Sequence, residues 1–214
     1  MPKKRLAAAT RLDDARARMY RDLIFEAAEF VFGEKGFEGA TMQEIAAEAG
    51  VSLKTVYASF PGKSDIYLEI MTTRGQAMRD FVVAAHESAG SPIEKLERAT
   101  RAFVQFLFDH ADWMRIHVRS RLSWSVRPQE ESVAQLWQEG LDGYIAILKE
   151  GIASGDFCDE DPLELAILVQ ALTKVQVSQA VEAGDRDAEG IADRLVKRLL
   201  RLVCKPAFAV RETG

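Results

Sequence analysis

The sequence predicts an all-α protein: a three-helix head, a linking helix, and a larger helical bundle as the body. Three observations carry this. Apolar residues recur at helical spacing along nearly the whole chain, and no alternating run of β-branched residues is long enough for a strand. Helix-starting residues stand in front of the periodic stretches, at Thr41, Ser52, Ser91 and Asp161. Proline and glycine punctuate those stretches rather than break them.

The first helix is expected from about Arg16 to Lys35, with Ile24, Ala27, Ala28, Val31 and Phe32 on one face and Gly36 as its stop. Thr41-Met42-Gln43-Glu44 reads as a capping box, in which the Thr hydroxyl and the Glu carboxylate each take one orphan N–H. It opens a short helix, Met42 to Ala49, which Gly50 ends by taking the left-handed conformation. Ser52 caps a third helix, Leu53 to Ser59, with Val56 and Phe60 facing inward. Two capped helices around a glycine turn form the helix-turn-helix layout. Pro61-Gly62 closes it, and Lys63 opens a long helix to about His86. Ser91-Pro92-Ile93-Glu94 starts the next, to about His110, and Asp112 to Trp124 continues as helix. After Arg127-Pro128, a helix from Gln129 to Gly151 precedes a turn at Ser154-Gly155. Pro162–Ala183 and Asp187–Lys205 complete the chain. There is no internal repeat and no low-complexity segment.

The charge is unevenly spread. The net value is −5 over 214 residues, yet residues 1–21 carry seven basic and two acidic side chains. Residues 65–214 hold 18 basic and 24 acidic. An acidic body repels a polyanion and leaves the basic end to approach it. No run reaches the roughly 18 apolar residues that span a bilayer, and Met1-Pro2-Lys3-Lys4-Arg5 leads into charge rather than a signal sequence, so a cytoplasmic location with no membrane partner is expected. Cys158 and Cys204 lack metal or redox spacing, and no carboxylate or cysteine completes a set with His110 and His117, so neither a metal nor a cofactor is expected. No nucleophile elbow, phosphate loop or metalloprotease motif is present, which argues against an enzyme.

On the third helix, Leu53, Lys54, Thr55 and Tyr57 offer the groups that read base edges and phosphates. Thr41, Gln43 and Ser52 stand at helix starts, and Lys63 adds a cation at the next one, where phosphate binds well. The stretch Ile24-Phe25-Glu26-Ala27-Ala28, then Phe32, Gly36-Phe37, Ala40 through Ala46, Ala49-Gly50-Val51-Ser52, Thr55-Val56-Tyr57, Phe60 and Lys63 resembles the DNA-binding signature of the TetR/AcrR family of bacterial regulators. The likeness covers about residues 20–70. It implies a homodimer that binds a palindromic double-stranded operator, usually as a repressor, and is released when a small effector in the body moves the linking helix. Thr41, Leu53, Lys54, Thr55, Tyr57 and Lys63 fall where the family contacts DNA. Two departures stand out: Ser59 where an aromatic or His is common, and Met42 where a hydroxyl residue is common.

The domains read as a flexible basic arm (1–15), a helix-turn-helix domain (16–62), a linking helix (63–90), a ligand-binding and dimerisation domain (91–205) and a tail (206–214). The last two helices are apolar over more than the roughly 100° arc of a surface helix. Leu165, Leu168, Leu172, Leu195, Leu199 and Leu202 therefore read as a dimer interface, or else as the centre of a monomer core. A ligand pocket is expected among Phe103, Phe106, His110, Trp113, His117, Arg121, Trp124, Trp137 and Tyr144, where aromatics interleave with polar groups; plain core packing is the competing reading. The arginines suit an anionic or acyl effector and the tryptophans an aromatic or cationic one, and the sequence does not choose. A DNA-binding interaction protein without an inducer, or an activator, fits the same residues.

Overall fold

The computed structural model describes residues 2–119 and 131–205. Among these the chain forms α1 (Pro2–Gly39), α2 (Met42–Glu48), α3 (Leu53–Ser59), α4 (Lys63–Glu87), α5 (Pro92–Asp109), α6 (Ala111–Arg119), α7 (Glu131–Ser154), α8 (Pro162–Glu182) and α9 (Ala188–Val203), with no strand. They divide into two compact units. One comprises Met1–Thr73 with Ala111–Arg121, the other Arg74–His110 with Leu122–Gly214.

The first unit is built on α1. Ile24, Ala28, Phe32, Ile45, Val56, Phe60, Ile66 and Ile70 close its core without measurable exposure. Gly36 (φ 73°) interrupts α1, and Phe37 folds back to meet the rings of Phe32 and Tyr67, with centroids 5.9 and 5.0 Å away. Two findings differ from expectation here. The helix begins at Pro2 rather than near Arg16, so the stretch expected as a flexible arm continues α1. Leu6-Ala7-Ala8-Ala9 is a run of strong helix formers, and its propensity outweighs the charge that suggested an arm. The second finding concerns α6, expected in the body: by its contacts it groups with the first unit. It packs along α1, with Trp113, Met114 and Ile116 buried. Gly33 makes this approach close: a Cβ there would lie 2.9 Å from the Asp112 carbonyl oxygen. Arg115 pairs with Glu34 across the same contact. The spacing of α6 revealed that it is buried, not what it is buried against.

In the second unit, α5 packs on α7 and α9, and α8 packs on the same two helices. Leu96, Val104, Leu107, Leu148, Leu165, Val169, Leu195 and Leu199 fill the centre. Thr100 and Thr173 are buried there because their hydroxyls donate back to Leu96 O and Val169 O, each at 2.7 Å. Below the helices, the Phe157 ring lies on Gly151, where any Cβ would overlap it, and Cys158 N–H donates to Val203 O at 2.8 Å. The turn between α7 and α8 is thus fastened to the end of α9. Cys158 and Cys204 are free thiols whose pKa values burial raises.

Lys174 on α8 is half-buried, and desolvation pushes its amine down to about 8. The folded pKa lies below the unfolded one, so the fold is penalised for holding the charge. The penalty is full below pH 8 and fades as pH rises toward the unfolded value near 10.5. Lys174→Met is therefore expected to raise Tm at pH 7, with a gain that shrinks by pH 10. Thermal unfolding by circular dichroism at both pH values checks this; an equal gain at both would assign the effect to methionine packing.

Candidate nucleic-acid interface

α2 and α3 are seven residues each, too short to be helical alone, and their caps are correspondingly complete. The Thr41 hydroxyl accepts from Glu44 N–H at 3.3 Å, and Glu44 accepts from Thr41 N–H at 3.0 Å. Lys35 donates to the same carboxylate at 2.6 Å and, with Thr41, holds its pKa below the usual carboxylate range. Ser52 accepts from Thr55 N–H at 3.1 Å. Gly50 (φ 65°) makes the turn between the helices in a conformation that disfavours any side chain.

This turn points Val56 inward and sends Lys54, Tyr57 and Ala58 outward, with Tyr57 52% exposed. Thr41, Gln43 and Ser52 are also exposed, while Leu53 and Thr55 are half-covered. The Thr55 hydroxyl shares a hydrogen bond with Ser52 Oγ at 2.8 Å, so it serves the cap. Ser59, where the family often has a ring, donates back to Thr55 O at 3.2 Å.

Lys63 does not extend the outward row. Its ammonium donates to Phe37 O at 2.6 Å and Ala40 O at 2.9 Å, and sits 4.5 Å from the Phe37 ring centroid. Those carbonyls end α1 and accumulate the negative end of its dipole, which draws the cation inward. Arg21, expected only as part of the basic charge of residues 1–21, is the second cation engaged within the head. It grips Glu69 of α4 through two nitrogens, donates to Ser59 O at 2.7 Å, and stacks 4.1 Å from the Phe60 ring centroid. One guanidinium therefore joins α1, the end of α3 and α4. Its fork geometry suits it to this. Its position three residues before Ile24, on the edge of the buried face, was the available signal.

The residues expected to line a pocket fall into separate groups. Trp113 and His117 lie on α6 in the first unit, edge to face at 4.5 Å. Phe103, Phe106, His110, Trp137 and Tyr144 belong to the second unit. There Phe106 stacks on His110 at 4.0 Å, and His110 Nδ1 lies 2.9 Å from Phe106 O, so this pair is part of the packed end of α5. Trp137 and Tyr144 share the inner face of α7. Arg121 and Trp124 lie outside the described residues. Among those described, no group of three or more His, Cys, Asp or Glu could hold a metal, and no helix is long and apolar enough to cross a membrane.

The six leucines expected at a dimer interface also divide. Leu165, Leu195 and Leu199 are fully buried within the chain, Leu172 is half-buried, and Leu168 and Leu202 are exposed. α9 is amphipathic, with Arg194, Lys197, Arg198 and Arg201 outward, because its apolar residues converge on one side. α8 is apolar on its outer side too: Leu163, Ile167, Leu168 and Val175 are each about half exposed.

Residues 24–70 match the bacterial regulatory proteins of the tetR family, and residues 89–203 match the tetracyclin repressor-like C-terminal domain. The chain belongs to the TetR family. α1 to α3 are thus the helix-turn-helix DNA-binding part of a TetR-family transcription regulator. The chain is 29% identical over 143 residues to the HTH-type transcriptional regulator YhgD of Bacillus subtilis, spanning 66% of this chain and 74% of that one. It is 23% identical over 185 residues to the transcriptional repressor KstR2 of Mycolicibacterium smegmatis, spanning 84% and 88%. The regulator FadR of Bacillus subtilis, solved with stearoyl-CoA, has the same fold, with a TM-score of 0.70 at 20% identity over 83% of this chain and 96% of that one.

Lys54→Ala is expected to weaken DNA binding and, if the contact is to phosphate, to flatten the plot of log affinity against log salt by about 0.9. A changed sequence preference at constant slope would mark a base contact. Lys63→Met is expected to lower Tm and affinity with the slope unchanged. A slope lowered as for a phosphate contact would return Lys63 to the DNA surface.

Proposed function

We propose that this TetR-family regulator is a repressor: a homodimer that occupies a palindromic operator through α3 and leaves it when a small apolar or amphipathic effector enters the body. The observation that carries this is the outward row of α3. The side chains of Lys54 and Tyr57 are exposed and make no hydrogen bond or ion pair among the described residues, whereas Val56 on the same helix is buried. Thr41, Gln43 and Ser52 extend the same surface toward phosphates, with Leu53 and Thr55 at its base.

Dimerisation is assigned to the outer face of α8. Leu163, Ile167, Leu168 and Val175, with Leu202 from α9, form an apolar surface that water would otherwise cover. A face on one helix of a compact bundle suits an isologous pair, in which each copy covers the other. Two heads then reach successive major grooves, about 34 Å apart or a multiple of that.

Effector control needs a connection between the body and the reader. α7 meets the second half of α4, where Arg79 pairs with Glu139 and a Cβ on Gly75 would lie 3.3 Å from Leu136. The first turns of α4 carry Lys63 and Glu69, the anchors of the reader. A ligand that shifts α7 would thus act on the helix that holds α3. The stearoyl-CoA bound by FadR joins an apolar chain to a polar head, and an effector of that amphipathic class is proposed here.

Selection of bound duplexes from a random pool tests the reading, and a palindromic consensus is the expected result. No enriched sequence would overturn it. Ile167→Glu is expected to give monomers in sedimentation and to reduce operator affinity at least tenfold. A dimer that survives this change would remove α8 from the interface. Leu199 is no test of association, since burial within the chain makes its replacement a folding defect.

A further inference from the structure

The proposed effector site carries a chemical requirement of its own. On α7, positions 137 and 144 lie at the centre of the arc marked by buried Ala134, Leu141, Leu148 and Gly151, opposite exposed Gln135 and Asp142. Side chains at the middle of a buried arc are normally the most completely covered. Trp137 and Tyr144 are mostly covered, yet each keeps a part of its surface that no described residue covers. Between them, one turn from each, stands Gly140, where a Cβ would meet nothing within 4 Å. Among the described residues, then, nothing fills the space over Gly140, between the two rings.

The indole of Trp137 adds a polar demand. Its Nε1 is buried and has no hydrogen-bond partner among the described residues. An indole nitrogen can only donate, so neither rotation nor tautomer relieves it. A buried donor left unpaired is rare in a folded protein and points to a partner that arrives later. Burial also pushes the Tyr144 phenol up to about 12, so it stays a neutral hydroxyl. No acidic side chain lies on the inner arc between these two rings.

We propose that the effector is an apolar molecule carrying a carbonyl or carboxylate oxygen, which accepts from Trp137 N–H on the inner face of α7 while its chain fills the space over Gly140 beside Tyr144. This rests on the effector-controlled regulator reading and narrows it. Between the two classes the sequence left open, the unpaired donor favours the anionic or acyl one, because a cation can meet the ring faces but leaves the N–H without an acceptor. A site built around a hydrogen bond discriminates strongly against analogues that lack the matching group.

The test uses the full-length protein and two C12 amphiphiles below their micelle-forming concentrations: dodecanoate, which has the acceptor, and dodecyltrimethylammonium, which does not. Direct binding is read by calorimetry, and release from the selected operator by fluorescence anisotropy. The wild type is expected to bind dodecanoate at least tenfold more tightly than the cation. Trp137→Phe keeps the ring and removes the N–H; it is expected to erase that preference while leaving Tm and effector-free operator affinity unchanged. Equal binding of the two amphiphiles by the wild type, a preference for the cation, binding of neither, or an undiminished preference in Trp137→Phe each overturns the inference. The wild-type comparison decides even if the variant folds poorly. Failure of the free wild type to bind any operator would instead overturn the regulator reading, so the two failures are distinguishable.

Discussion

The head depends on the Arg21 guanidinium. A seven-residue helix cannot sustain itself in water, because nucleation consumes most of what its few hydrogen bonds return. α3 must be held from outside, and one planar cation does this at its C-terminal end by binding Ser59 O, lying over Phe60 and pairing with Glu69. An exposed ion pair alone contributes little. Here the pair is one of three contacts made by a single side chain, so ordering it once serves all three. Lys63 does the corresponding work at the end of α1, where two carbonyls and a ring receive it.

This use of cations changes how the charge of the head is understood. The basic residues of the first 64 positions look like a store of phosphate contacts. Arg21, Lys35 and Lys63 are instead engaged with Glu69, Glu44 and backbone carbonyls. Lys54 faces outward from α3. The acids that these cations neutralise would otherwise repel a polyanion close to the reader. These pairs within the head therefore lower local repulsion as they tie its elements together.

In the second unit the same economy appears in apolar form. α5, α7, α8 and α9 share one core, and the turn from Phe157 to Cys158 fastens α7 and α8 to the end of α9. Among the described residues of this unit, the outer side of α8 and the inner side of α7 around Gly140 are left uncovered by the chain itself. The first is wide and apolar, and the second is narrow with one unpaired donor. The occupants proposed for them differ accordingly: another copy of the chain for the first and a small molecule for the second. The Arg79–Glu139 pair joins α7 to the second half of α4.

Helix periodicity, the capping box at Thr41 and the Ser52 cap were legible in the sequence because they are local: each depends on residues within four positions. The all-helical class and the family followed from them. The role of Arg21 was not legible, since its partners lie 38 and 48 positions away. Nor were the partners of Lys63 legible: the carbonyls that receive it lie 23 and 26 positions back. The amphipathic pattern of α6 fixed that it is buried, but α1 and Gly33 decided against what. Among the six leucines, composition could not separate Leu199, inside the bundle, from Leu168, outside it. By itself, then, the sequence determined the elements, their caps and their apolar faces, which short-range hydrogen bonding and periodicity specify. Only the tertiary structure decided which cations turn inward, which helix α6 joins and which apolar face stays open, because each depends on neighbours distant along the chain.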